Sequence, residues 1–256
     1  MTPLLSAHGL TKTYGPRTAC AGVDIDVAEG EVLAIVGESG SGKSTLLSML
    51  AGELAPDSGE VRYRDRQGRV RPLAEIGPAE LRALALTDWG FVRQDAAQGL
   101  RMAVSAGGNV GERLMGLGAR HYGNIRSQAL DWLGRVEIAA DRIDDPPTRF
   151  SGGMRQRLQI ARNLVTAPRL VLMDEPTSGL DVSVQARLLD LIRRLSGELG
   201  LAVIIVTHDL AVARLLSHRI AVMRRGQVVE TGLTDQVLDD PADAYTQLLV
   251  SSVLAA

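Results

Sequence analysis

The residues Gly37-Glu38-Ser39-Gly40-Ser41-Gly42-Lys43-Ser44-Thr45 meet the spacing G-x-x-x-x-G-K-[ST], whose chemistry is phosphate binding. Glycines at 37, 40 and 42 admit positive φ and carry no side chain. Successive backbone N–H groups can therefore converge on phosphate oxygens at the positive end of the following helix. Lys43 adds a mobile cation for the β and γ phosphates, and the Ser44 hydroxyl suits the Mg²⁺ that travels with them.

A second set of residues has the character of a hydrolytic centre. Asp174 and Glu175 end the apolar run Leu170-Val171-Leu172-Met173, at the edge where open α/β sheets hold ligands. Two carboxylates there call for a compensating cation. Asp174 suits the outer shell of the Mg²⁺ held by Ser44, and Glu175 suits a group that orients and deprotonates the attacking water. The competing reading is an acid pair at a helix N-terminus, since Pro176-Thr177 follows. His208 comes directly after the apolar run Leu201 to Val206, where an imidazole can reach a γ-phosphate or the water. Gln94 follows the strand-like Gly90-Phe91-Val92 and offers an amide oxygen to metal and an N–H to water. Ser151-Gly152-Gly153 opens an amphipathic helix as a second anion-binding terminus. Tyr14, an aromatic beside a loop, is either a stacking surface for a nucleobase or a packed surface tyrosine.

The elements that must hold these groups are legible in outline. Glu31 to Val36 is a short apolar run suited to a buried parallel strand, and Leu46 to Ala51 continues as a helix after the glycine loop. Alternation around Ile25 and Val27, with turns at Gly15-Pro16 and Glu29-Gly30, predicts N-terminal antiparallel strands. Residues 59–72 form a hairpin around Gln67-Gly68, with Arg62, Arg64 and Arg66 expected on one strand face. That face is either a charged edge protected from pairing or a docking surface for an acidic protein. Pro78 and Glu80 open a helix. Residues 105–167 read as helical, with amphipathic segments at 125–136 and 154–165. Strands at 170–173, 201–206, 220–223 and 228–229 follow, with a long helix through Val184, Leu188, Leu191 and Leu195 and a short one capped by Asp209.

Composition narrows the class. Across 256 residues, 45% hydrophobic and 23% charged residues are ordinary for a globular chain. A net charge of −2 gives no reason to expect nucleic acid or an anionic membrane as a partner. Leu201 to Val206, the densest apolar segment, is too short to span a bilayer, and no membrane anchor or signal segment is expected. Cys20 is the sole cysteine, which rules out an internal disulfide and points to a cytoplasmic location.

Taken in order, the phosphate loop 37–45, Gln94, Phe150-Ser151-Gly152-Gly153-Met154, Asp174-Glu175, Ser178-Gly179-Leu180-Asp181 and His208 resemble the motifs of the ATP-binding cassette family. The resemblance implies a P-loop α/β domain over 1–256: a parallel-sheet core, an N-terminal antiparallel β subdomain and a helical insertion at about 100–167. It implies ATP as substrate with Mg²⁺, and two copies closing head to tail, so that Ser151 and Gly153 contact the γ-phosphate held by the other copy. Tyr14 matches the position that stacks on adenine. Phe150 and Met154 depart from the usual Leu and Gln of that signature.

Further segments, 100–123 with Val104 to Asn109, Arg142 to Asp145, and the tail from Leu238 to Leu254, are similar to the ATP-binding subunits of bacterial carbon-phosphorus lyase systems. This resemblance implies docking on a soluble lyase core. The alternative is an importer ATPase of the oligopeptide or nickel type, peripheral to a membrane permease. A nucleotide-gated binding module is a third reading, which Glu175 and His208 oppose.

Overall fold

The computed structural model describes residues 2–254; Met1, Ala255 and Ala256, the ends of the expected domain, lie outside the described residues. The chain forms two compact units, Met1–Leu81 with Gly200–Ala256, and Arg82–Leu199.

The first unit begins with β1 (Leu5–Tyr14), β2 (Arg17–Val27), β3 (Val32–Val36), α1 (Lys43–Leu50), β4 (Ser58–Arg64) and β5 (Val70–Pro72). β1 and β2 pair antiparallel as predicted, and with β4 and β5 they form a four-stranded sheet in the order β2-β1-β4-β5. Alternation explains β4: Val61 and Tyr63 are buried while their neighbours face outward. The expected arginine face is shorter than the sequence suggested. β4 ends at Arg64, and Arg66 lies in the turn, where the Asp65 carboxylate accepts from the backbone N–H of Gln67 and Arg69. Arg62 pairs with Glu60 at 2.6 Å, Arg64 with Glu29 at 3.2 Å, Arg69 with Asp65 at 2.8 Å and Arg71 with Glu80 at 2.5 Å. These acids neutralise the basic strip from within the chain, which fits a protected hairpin rather than a docking surface. The division between units falls within α2 (Pro78–Thr87).

In the second unit β6 (Trp89–Val92) leads to α3 (Ala96–Gly99), capped by Asp95, and then to α4 (Ala106–Gly116) and α5 (Tyr122–Arg135). α6 (Gly152–Leu164) precedes β7 (Leu170–Asp174), and α7 (Val182–Leu199) closes the unit. The helical stretch predicted at about 100–167 thus lies inside this unit. α5 buries Ala129, Trp132 and Leu133, and α7 buries Leu188, Leu191, Ile192 and Leu195, each at helical spacing. β6 and β7 are parallel neighbours, with Val92 opposite Met173.

The first unit resumes with β8 (Ala202–Thr207), α8 (Leu210–Leu216), β9 (Arg219–Arg224), β10 (Gln227–Leu233), α9 (Thr234–Asp239) and α10 (Ala244–Leu254). β3 lies parallel between β8 and β9, and β10 pairs antiparallel with β9. Every residue of β3 and β8 is buried, which is why both read as unbroken apolar runs. Among the described residues no helix is long and apolar enough to cross a membrane.

Candidate functional site

In the first unit, β3 delivers the glycine loop and β8 delivers His208 from adjacent strand ends, because Val36 stands opposite Thr207. Residues Gly37 and His208 each follow one member of that pair. The turn at His208 is shaped by the Thr207 hydroxyl, which accepts from Asp209 N–H at 3.0 Å, and by Asp209, which caps α8.

The loop closes tightly around its glycines. Gly37 has φ +149, and a Cβ there would sit 2.1 Å from the Met223 carbonyl oxygen; Gly42 has φ +106, and a Cβ would sit 2.0 Å from Ala19 O. Only glycine fits either place. Lys43 is buried, its Nζ donating to Gly37 O at 2.8 Å and Glu38 O at 2.9 Å. From outside, Arg17 donates to Gly40 O at 2.9 Å and Gly226 N–H donates to Ser41 O at 2.9 Å. The Ser41 hydroxyl is buried without a hydrogen-bond partner, a polar vacancy of the kind that a phosphate ligand satisfies. Glu38, Ser39 and Ser44 are exposed and Thr45 is half-buried, Ser44 lying in the first turn of α1. Cys20 sits beneath, with Sγ 3.7 Å from Gly42 O. Burial pushes its thiol up to about 11, so it stays neutral and brings no negative charge to the loop. Tyr14, the last residue of β1, is 51% exposed, so its ring is open to a stacking partner.

In the second unit the parallel register of β6 and β7 brings Gln94 to Glu175. Gln94 Nε2 donates to Glu175 Oε2 at 3.2 Å and to Ser178 Oγ at 3.3 Å. Asp174 is the last residue of β7 and half-buried. Glu175 has φ +40, a left-handed conformation that costs a non-glycine residue about 1–3 kcal/mol and tends to persist where function requires it. α7 begins only at Val182, which removes the reading of Asp174 and Glu175 as acids at a helix N-terminus.

Ser151 caps α6 as predicted, its Oγ accepting from Met154 N–H at 3.3 Å. Gly153 has a packing reason of its own: a Cβ would lie 2.4 Å from Val184 Cγ1. Gly152 is exposed, and with Gln94, Arg155, Ser178, Gly179 and Leu180 it lines a cleft of about 360 Å³. Phe150 is buried, with the Arg142 guanidinium 5.1 Å from its ring centre, and Met154 is half-buried.

The predicted residues are thus grouped as Tyr14, the loop 37–45 and His208 in one unit, and Gln94, Ser151 to Gly153, Asp174 and Glu175 in the other. Sequence reasoning missed the Ser178 contact to Gln94, although Ser178 stands within the Ser-Gly-Leu-Asp motif. It also missed Gln159, whose amide oxygen accepts from Arg93 N–H at 2.6 Å, and Tyr245, whose hydroxyl accepts from Glu38 N–H at 3.2 Å. A polar residue amid the apolar face of α6 was the available signal for Gln159; Tyr245 had none.

The family model described as ABC transporter matches residues 20–178. Over 252 residues the chain is 63% identical to the phosphonates utilization ATP-binding protein PhnK of Escherichia coli (strain K12), covering 98% of each chain. It is 35% identical over 249 residues to the dipeptide transport ATP-binding protein DppD of Bacillus subtilis (strain 168), covering 96% of this chain and 74% of that one. Among solved structures, the dimeric post-hydrolysis ATP-binding cassette MJ0796 bound to ADP and Pi superposes with a TM-score of 0.80 at 32% identity, over 90% of this chain and 98% of that one. The structure of cbiO1 from Clostridium perfringens, part of the ABC transporter complex cbiONQ, gives 0.81 at 27% identity over 99% and 98%.

Proposed function

The chain belongs to the ABC transporter family of ATP-binding proteins, and from that premise we propose that it closes as a dimer around Mg-ATP and couples hydrolysis to a carbon-phosphorus lyase assembly in phosphonate breakdown. That it is an ATPase of this family stands independently of the pathway. The observation that carries the hydrolytic reading is the contact of Gln94 with Glu175 at the paired ends of β6 and β7.

In this reading the loop amides and Lys43 hold the β and γ phosphates, and Tyr14 stacks on adenine. Ser44, Gln94 and Asp174 present a hydroxyl, an amide oxygen and a carboxylate, an all-oxygen donor set that suits Mg²⁺. The metal, when bound, neutralises charge on the phosphate oxygens. Gln94 directs its N–H at Glu175, which leaves its oxygen for the metal. Glu175 takes a proton from water as the water oxygen bonds to the γ phosphorus, while the bond to the β-bridging oxygen breaks and its electron pair stays on ADP. His208 steadies the γ-phosphate or the water. Ser151 and Gly153 of a second copy complete the enclosure, a reading supported by the dimeric ADP- and Pi-bound cassette that the chain resembles.

The identity to the phosphonates utilization protein supports the pathway and, with it, a cytoplasmic place of work. The similarity to the dipeptide transport protein favours a second reading, in which the helices of the second unit dock on a membrane permease. Affinity purification from cells growing on a phosphonate as the sole phosphorus source separates the two. Lyase subunits should co-purify; integral membrane proteins without lyase subunits would reverse the assignment. Glu175→Gln should retain ATP binding and abolish turnover, and unchanged hydrolysis would remove Glu175 from its role.

A further inference from the structure

The peptide bond joining Gly37 to Glu38 is held at both edges. Its carbonyl oxygen accepts from Lys43 Nζ at 2.8 Å. Its N–H donates to the hydroxyl of Tyr245, 207 residues away on α10, at 3.2 Å. The α-carbon from which this peptide starts is closely packed: Gly37 has φ +149, and it faces the Met223 carbonyl so closely that a Cβ would come within 2.1 Å of it.

Tyr245 is itself firmly seated. It is 4% exposed, and the Arg224 guanidinium lies 4.8 Å from its ring centre. The turn before it is fixed by Glu230, whose carboxylate accepts from Ala242 N–H at 2.8 Å and Asp243 N–H at 3.1 Å. Asp243 in turn accepts from Tyr245 N–H at 2.8 Å and Thr246 N–H at 3.3 Å. A buried phenol needs a partner for its oxygen, and here that partner belongs to the phosphate loop.

We infer that Tyr245 is a positioning residue for Lys43, acting through the Gly37–Glu38 peptide, and that α10 thereby sets the affinity of the loop for nucleotide. The hydroxyl keeps the Gly37 carbonyl turned toward Lys43, so the ammonium waits in one place and the loop keeps the shape in which its amides converge. Without the hydroxyl, Glu38 N–H is left unpaired and the peptide can rotate. Lys43 then loses a fixed acceptor, and nucleotide must order the loop as it binds, which weakens affinity. The reverse coupling follows by linkage: nucleotide that fixes the loop also holds α10 in place.

The inference rests on the reading of Lys43 as the phosphate-binding lysine, and the test separates the two. Tyr245→Phe keeps the ring beneath Arg224 and removes only the oxygen. By the usual worth of one hydrogen bond, it should raise the Kd for ATP about fivefold. The KM for ATP should rise alongside, with kcat at saturating ATP unchanged, since Glu175 and Gln94 are untouched. In a Lys43→Ala background the same change should cost less affinity than it does alone. A Tyr245→Phe protein with lowered thermal stability and unaltered Kd would make Tyr245 a packing residue and overturn the inference, as would losses that simply add in the double variant. Hydrogen exchange on the unmodified, nucleotide-free protein gives an independent measure: the Glu38 amide should be protected, and rapid exchange there would overturn the inference. If Lys43→Ala leaves ATP affinity intact, the reading of the loop fails. If Lys43→Ala weakens binding and Tyr245→Phe does not, only the role of Tyr245 fails.

Discussion

The side-chain amide of Gln159 brackets the backbone of Arg93, its oxygen accepting from Arg93 N–H at 2.6 Å and its nitrogen donating to Arg93 O at 3.2 Å. Asn163 repeats the arrangement two residues earlier on the strand side, accepting from Phe91 N–H at 3.1 Å and donating to Phe91 O at 3.0 Å. Four residues of helix rise about 6 Å, and two residues of strand span about 6.6 Å. Side-chain amides four apart on α6 therefore match backbone groups two apart along β6, and the helix serves as the strand's neighbour on the edge that β7 leaves open. Two glycines make room: a Cβ on Gly99 would lie 2.2 Å from Gln159 Oε1, and one on Gly90 would lie 3.1 Å from Asn163 Cβ. The helix that Ser151 caps is thus bonded to the residue preceding Gln94.

Gln159→Leu keeps the volume and deletes the bracket, leaving the half-buried Arg93 N–H without its acceptor. The expected loss of stability is about 2 kcal/mol, read as a lower urea midpoint with an unchanged slope. Because Arg93 sets the path into Gln94, kcat for ATP should fall further than ATP affinity. Equal effects on both would show that the bracket holds the fold without guiding the site.

Gly42→Ala should abolish measurable ATP binding and destabilise the first unit, because the added methyl has nowhere to go beside Ala19 O. Gly68→Ala is the matched control. Gly68 also has positive φ, at +79, but nothing lies within 4 Å of the new Cβ, so the cost is about 1 kcal/mol and binding should be unaffected. Titration of ATP against both variants, alongside thermal melts, distinguishes crowding from backbone strain.

Asp57 predicts a feature of the acid limb of the stability profile. Its carboxylate accepts from Lys12 Nζ at 2.7 Å, Thr13 N–H at 2.7 Å and Thr13 Oγ1 at 2.9 Å. These bonds, led by that from Lys12, hold its pKa down at about 2 against an ordinary 3.8. The stabilisation is present in full above the ordinary value and is lost as pH falls toward 2. Denaturant melts between pH 5 and pH 2 should therefore show a decline that is shallower in Asp57→Asn than in the unaltered protein. An identical slope would mean that Asp57 keeps the same partners after unfolding.

The sequence by itself determined whatever depends on neighbouring residues. Glycines at 37 and 42 encode a loop that other residues cannot enter, Ser151 and Asp209 encode caps, and the apolar runs of β3, β7 and β8 encode buried parallel strands, because conformational preference and burial period act within a few residues. The same locality misled it at Arg66, where a period of two was carried past the point at which Asp65 turns the chain.

Only the tertiary structure decided which distant groups meet. Val36 stands opposite Thr207 and Val92 opposite Met173 through strand register, and register is set by the joint burial of whole strands rather than by any one segment. Tyr245 reaches Glu38 for the same reason: the hydrogen bond exists because α10 packs where a phenol oxygen meets a loop amide, and nothing within α10 alone specifies that meeting.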